Sequence, residues 1–113
     1  MKLQGQARMI RIHFGEADRW QGTPLHEAII AEARKHDLAG ATAYRGIEGY
    51  GASSRIHREH LLGLSRDLPI MVTIIDEAPK IDAFLPLLEE MVPEGMIAIS
   101  DVEVIRYVHR DRV

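Results

Sequence analysis

The sequence predicts an α+β fold of the ferredoxin-like type, β-α-β-β-α-β, with an antiparallel four-stranded sheet and two helices on one of its faces. Three observations carry this. Four segments have strand-like alternation or a dense run of β-branched residues. Two others repeat their apolar residues at helical spacing. The chain has 113 residues, 46% of them hydrophobic, which is enough for one core and too little for two conventional domains. Residues 1–113 therefore read as a single domain, without an internal repeat or a linker.

In Met9–Phe14, Ile10, Ile12 and Phe14 share one face while Arg11 and His13 take the other, the signature of a half-buried strand. The polar segment Gly15–Gly22 reads as a loop. Thr23-Pro24 suits a helix start, with Thr23 as the cap and Pro24 in the first turn. Leu25, Ala28, Ile29 and Ala33 make its apolar stripe, and Gly40 is expected to end it as a left-handed cap. A second strand is expected over Ala41–Ile47. Leu61, Leu62 and Leu64 fit either a short helix or a strand extension. Leu68–Asp76, rich in Ile and Val, reads as a central strand. Ile81, Phe84, Leu85, Leu88, Met91 and Val92, bounded by Pro79 and Pro93, form the clearest amphipathic helix. Gly95–Val108 closes the chain as a strand, with a turn or bulge expected near Ser100-Asp101.

Composition excludes several function classes. Fourteen Lys and Arg against seventeen Asp and Glu give a formal charge of −3, which argues against nucleic-acid binding through bulk charge. The chain contains no cysteine, hence no disulfide, thiolate nucleophile or Cys-ligated zinc. Apolar runs are of strand length and the first residues lack signal-peptide character, so the expectation is a cytoplasmic protein that is not embedded in a membrane.

Sites for chemistry are sparse. Among six histidines, His57 and His60 are three apart and would form half a metal site on a helix. His13 and Glu16 are the further candidates, but polar surface positions explain all four as well. Ser53 and Ser54 lack a recognisable base or oxyanion hole. Glu89 and Glu90 are consecutive on a helix and point different ways. The expectation is that the protein is not an enzyme. The glycines Gly46, Gly49 and Gly51 follow a strand and would let backbone amides approach an anion, although a hairpin hinge accounts for them equally. Arg45 and Arg55 flank them and could pair with a phosphate or a carboxylate.

Across Gly46–His57, which includes Gly49-Tyr50-Gly51-Ala52-Ser53-Ser54-Arg55-Ile56-His57, the chain resembles the PII-like signal-transduction proteins, in particular an uncharacterised branch with this Gly-Tyr-Gly-Ala-Ser-Ser-Arg-Ile-His run. The likeness extends from about Ala7 to Arg106. It implies a homotrimer that binds an adenine nucleotide or another small anionic metabolite in clefts between subunits. It also implies that residues 51–66, with Ala52, Ser53, Ser54, Arg55 and His57, form an effector loop (the family's T-loop) acting on a transporter or enzyme. Gly49, Tyr50, Gly51, Gly95 and Arg106 are the implied ligand contacts. The chain departs from the family at Ser53, which stands where a glutamine helps to hold 2-oxoglutarate. No tyrosine lies between Ala52 and Arg66 for modification. Met96 replaces the lysine of the phosphate loop, and His109 or Arg110 is the candidate for a second late arginine. Fewer cations should weaken polyphosphate binding. The competing reading is a metal-binding, metal-tolerance trimer of the same fold, using His57 and His60.

Overall fold

The computed structural model describes residues 2–51, 56–58 and 67–108. The elements are β1 (Lys2–Gly15), β2 (Arg19–Trp20), β3 (Thr23–Pro24), α1 (Leu25–Lys35), β4 (Ala41–Arg45), β5 (Glu48–Tyr50), β6 (Ile56–Arg58), β7 (Pro69–Asp76), α2 (Ala78–Met91) and β8 (Met96–Val108). The main sheet is four-stranded, ordered β4-β7-β1-β8, and each neighbouring pair is antiparallel. Two small hairpins accompany it, β2-β3 and β5-β6. Setting those hairpins aside, the order β1-α1-β4-β7-α2-β8 is the expected ferredoxin-like arrangement.

The core lies between the sheet and the helices. Ile10, Ile12 and Phe14 of β1 and Ile70, Val72 and Ile74 of β7 are buried against Leu25, Ala28, Ile29 and Ala33 of α1 and Ile81, Phe84, Leu88 and Met91 of α2. In β7, buried and half-buried residues alternate along the whole strand, as a sheet with one packed face requires. Each fully buried Ile, Leu or Phe contributes about 1.5–3 kcal/mol of transfer free energy. The packing of the two helical stripes on the inner faces of β1 and β7 is therefore the main source of stability. At the α2 side, Arg8 bonds Asp82 at 2.7 Å and Asp101 at 3.3 Å. The hydrogen bond to Asp82, then that to Asp101, raises the Arg8 pKa above its ordinary value.

Element ends depart from the sequence expectations for identifiable reasons. α1 has no side-chain cap, because Thr23 is spent pairing with Trp20 in the β2-β3 hairpin. Pro24 is the cap residue, and the Leu25 amide donates to the Asp18 carbonyl at 2.8 Å instead. The same end of the Gly15–Gly22 segment thus contains a short hairpin rather than loop alone. At the C-terminus the left-handed residue is Asp37 (φ 60°), not Gly40, and the Leu38 amide closes back on the Ala33 carbonyl at 3.0 Å. Asp is one of the few residues that enters this region at low cost.

The second strand stops at Arg45 rather than Ile47. Gly46 turns there, its amide donating to the Pro69 carbonyl at 2.7 Å. β8 runs unbroken through Ser100-Asp101, whose polarity serves the ion pair with Arg8 and not a turn. The irregularity lies further on: Leu3 faces Tyr107 while Gly5 faces Val104, so β8 carries one extra residue. Leu61, Leu62 and Leu64 lie outside the described residues.

Candidate functional site

A cleft of about 780 Å³ opens where the ends of several elements meet: His13 to Gly15 of β1, Glu48 to Gly51 at β5, Asp67 and Pro69 at the start of β7, and Glu94 to Met96 at the start of β8. It therefore brings together Gly49, Tyr50, Gly51 and Gly95, four of the five residues expected to contact a ligand. Arg106 is not among them. It is exposed on β8, ten residues beyond Met96, which at about 3.3 Å per residue is roughly 33 Å away.

The glycines differ in what requires them. A side chain on Gly46 would meet the Pro69 ring at 2.8 Å, and one on Gly49 would touch it at 3.4 Å. Packing on that ring explains Gly46, whereas at Gly49 the contact is one that a side chain tolerates. Gly95 has φ +141°, and a Cβ there would sit 2.3 Å from the His13 carbonyl oxygen, so the fold itself demands glycine. Gly51 has open space within 4 Å and no special φ, so nothing in the described chain requires it to be glycine. Beside it Tyr50 is 75% exposed.

Charge in the cleft is one-sided. Asp18, Glu48, Asp67 and Glu94 line it, and no Lys or Arg does among the described residues. Asp67 accepts from the Ala17 amide at 3.0 Å and Asp18 from the Gly15 amide at 3.3 Å, so both shape the turn after β1. Arg45, expected to face a phosphate or carboxylate, pairs with Glu16 of its own chain. The other oxygen of Glu16 is buried without a hydrogen-bond partner.

These carboxylates and Pro69 were the residues that sequence reasoning missed. The one available signal was Asp67-Leu68-Pro69 directly before the central strand. Ala52, Ser53, Ser54, Arg55, His60, His109 and Arg110 lie outside the described residues, as does the side chain of His57. The expected effector loop contains a strand, since Ile56–Arg58 pair with β5 and bring the His57 backbone opposite Gly49. Of the expected metal candidates, His13 lines the cleft while Glu16 is tied to Arg45. No cluster of three or more His, Asp or Glu suited to a metal occurs among the described residues.

Both helices pack on one face of the sheet, and the described side chains in the rows that follow, on the opposite face, are exposed or half-buried. Cross-strand register sets out its rows: Tyr44–Met71–His13–Met96, then Thr42–Thr73–Arg11–Ala98, then Ile75–Met9–Ser100. Met9, Met71 and Ile75 are half-buried, and Tyr44 and Met96 are about half exposed. Beyond Arg8, β1 has no partner on its β7 side among the described residues, where 2–7 and 102–108 form a two-stranded ribbon.

Residues 7–104 match the family model DUF190, described as uncharacterized ACR, COG1993. A UPF0166 protein of Aquifex aeolicus is 37% identical over 98 residues, covering 87% of this chain and 92% of its own. A UPF0166 protein of Methanocaldococcus jannaschii is 30% identical over 100 residues, covering 88% and 92%. Among solved structures, CPII of Thiomonas intermedia K12, a nitrogen regulatory PII-like protein bound to ADP and bicarbonate, aligns with a TM-score of 0.56 at 19% identity over 88% of each chain. CutA of Synechococcus elongatus aligns at 0.56 with 11% identity, covering 95% of this chain and 85% of its own. These likenesses show a shared PII-like fold. No helix among the described residues is long and apolar enough to cross a membrane.

Proposed function

The chain belongs to the DUF190 family, and we propose that it is a non-enzymatic regulatory module of PII type. Its cleft takes an adenine nucleotide or a similar small anion, and residues 51–66 pass the bound state to a partner, a transporter or an enzyme, in the cytoplasm. The observation that carries this reading is Gly51. It stands at a cleft of about 780 Å³ with no neighbour among the described residues that would exclude a side chain. A glycine in such a place is accounted for by a ligand or partner approaching its backbone closely. The exposed Tyr50 ring beside it offers a stacking surface for a base. That CPII, with the same fold, is described as bound to ADP and bicarbonate supports the same class of ligand here.

The acidic lining adds a condition. Four carboxylates and no Lys or Arg line the cleft among the described residues, so an anion needs cations from elsewhere. Arg106 lies at the far end of β8, where it would be positioned to serve the cleft of a second copy, and the proposed assembly is a homotrimer. Calorimetry with AMP, ADP and ATP, each with and without bicarbonate, tests the reading. Binding of at least one adenine nucleotide is expected, with ATP held no more tightly than ADP. Gly51→Val should abolish it by filling the approach. Arg106→Ala should weaken it about ten- to a hundred-fold, the loss of one charge-assisted contact. No binding of any of these ligands by the wild-type chain would overturn the reading.

A further inference from the structure

We propose that the sheet face opposite the helices holds a second anion site, separate from the cleft, in which Arg11, Thr73 and Thr42 bind a small oxyanion between copies of the chain. The inference rests on the reading that copies associate over this face. Arg11 faces Thr73 directly across β1 and β7, and Thr73 faces Thr42 across β7 and β4. The three form one row across three adjacent strands, spaced about 4.8 Å apart. Ile10, Ile12, Val72 and Ile74, their neighbours in sequence, are buried against the helices. The row is therefore on the opposite face by strand alternation.

Its chemistry is that of a donor array. A guanidinium offers five N–H donors in a planar fork that matches two oxygens of an oxyanion, and each threonine adds a hydroxyl. Ala98, on the other side of Arg11, contributes only a methyl group. Arg8 and Arg45 each pair with carboxylates, but Arg11 has no ion pair or hydrogen bond among the described residues. The described rows of this face contain no carboxylate at all. Asp76 and Asp101, the acids nearest in register, pair with Arg8 in the strand ladders and belong to the helix side.

The surroundings say why an anion is needed. Met9, Ile75, Met71 and Met96 lie above and below the row, so covering this face is favourable for its apolar part. The same step would desolvate a guanidinium and bring it toward its equivalents on other copies, with no counter-charge in the described rows of the face. A buried, uncompensated charge is strongly unfavourable. A small oxyanion held by the row neutralises it and uses its donors. The row's donors, one guanidinium and two hydroxyls, suit a single small oxyanion, and the flanking rows of mainly methionine and isoleucine add only Tyr44, His13 and Ser100 as polar groups. The fitting ligand is thus a sulfate-, phosphate- or bicarbonate-like ion rather than a nucleotide.

The test is a dilution series in the analytical ultracentrifuge at fixed pH and fixed ionic strength in chloride, sulfate, phosphate or bicarbonate. For the wild type, at least one oxyanion should tighten subunit association about ten-fold relative to chloride, the worth of one charge-assisted contact. Arg11→Met should still assemble and lose that difference, and Thr73→Val should reduce it. Gly51→Val, which blocks the cleft, should keep it. An oligomer indifferent to every oxyanion, or an Arg11→Met variant with the full response, would overturn the site and leave the association reading standing. A wild type that stays monomeric would overturn the association reading and, with it, a site between copies.

Discussion

Gly95 and Gly51 separate the two reasons a chain keeps a glycine. At Gly95 a side chain would need both a left-handed backbone and the space occupied by the His13 carbonyl. Gly95→Ala should therefore cost at least about 2 kcal/mol in chemical denaturation. Gly51→Ala, in open space, should change stability by no more than about 0.5 kcal/mol, while a change in ligand binding would expose its role. Equal losses at the two positions would show that Gly51 is structural. Asp76 makes the complementary point for a carboxylate. It is fully buried, accepting from the Ala39 amide at 2.9 Å and the Glu77 amide at 2.7 Å, with the Lys80 ammonium 3.4 Å away. Asp76→Asn keeps the size but turns an amide toward donors, and should cost about 2–3 kcal/mol in the same measurement. None of this was legible in the sequence. Spacing finds glycines and acids, but whether Pro69, a carbonyl or nothing stands opposite depends on contacts across the fold.

The elements were far more legible, because each is fixed by a local period. The α2 stripe from Ile81 to Met91 is present as read, and the strand expected from the β-branched run Leu68–Asp76 is present as β7, central in the sheet and alternating in burial. Ends were less legible. Thr23 looks like a cap until its pairing with Trp20 is known, and Ser100-Asp101 looks like a turn until Arg8 is seen opposite. α2 also carries a residue that its period does not require. Pro86 sits inside the helix, exposed, where it removes one backbone hydrogen bond and crowds the preceding turn. Helix propensity favours alanine there by about 3 kcal/mol, and the freer unfolded chain returns up to about 1 kcal/mol of that. Pro86→Ala should therefore raise stability by about 2 kcal/mol, seen as a higher Tm. An unchanged or lower Tm would mean that the proline ring itself is packed or that the local bend is needed.

For the whole molecule, the informative feature is what the fold leaves open. Its helices cover one sheet face only, and the opposite face presents half-buried Met9, Met71 and Ile75. The ribbon of 2–7 and 102–108 extends beyond the last pairing with β7, tied back by the Tyr107 hydroxyl, which donates to the Ala39 carbonyl at 2.5 Å. β8, thirteen residues long, is an edge strand, and Ile99, Ile105 and Val108 along it are exposed. Long apolar edges invite pairing with another chain unless something covers them. Met9, Met71 and Ile75 stand in the sequence as apolar residues outside the alternation that fills the core; the open edge is not legible there, because it follows from strand order. Copies of the chain that cover face and ribbon together account for both. Sedimentation at micromolar concentration should give a closed assembly of about three chains. Ile105 is 76% exposed, so Ile105→Glu should leave the subunit's circular dichroism unchanged while adding a charge to the edge. It should shift the assembly toward monomer by weakening every symmetric contact at once. An Ile105→Glu protein that sediments as the wild type does would place the contact elsewhere, and a wild-type chain that sediments as a monomer would remove the second copy whose Arg106 is proposed to serve the cleft.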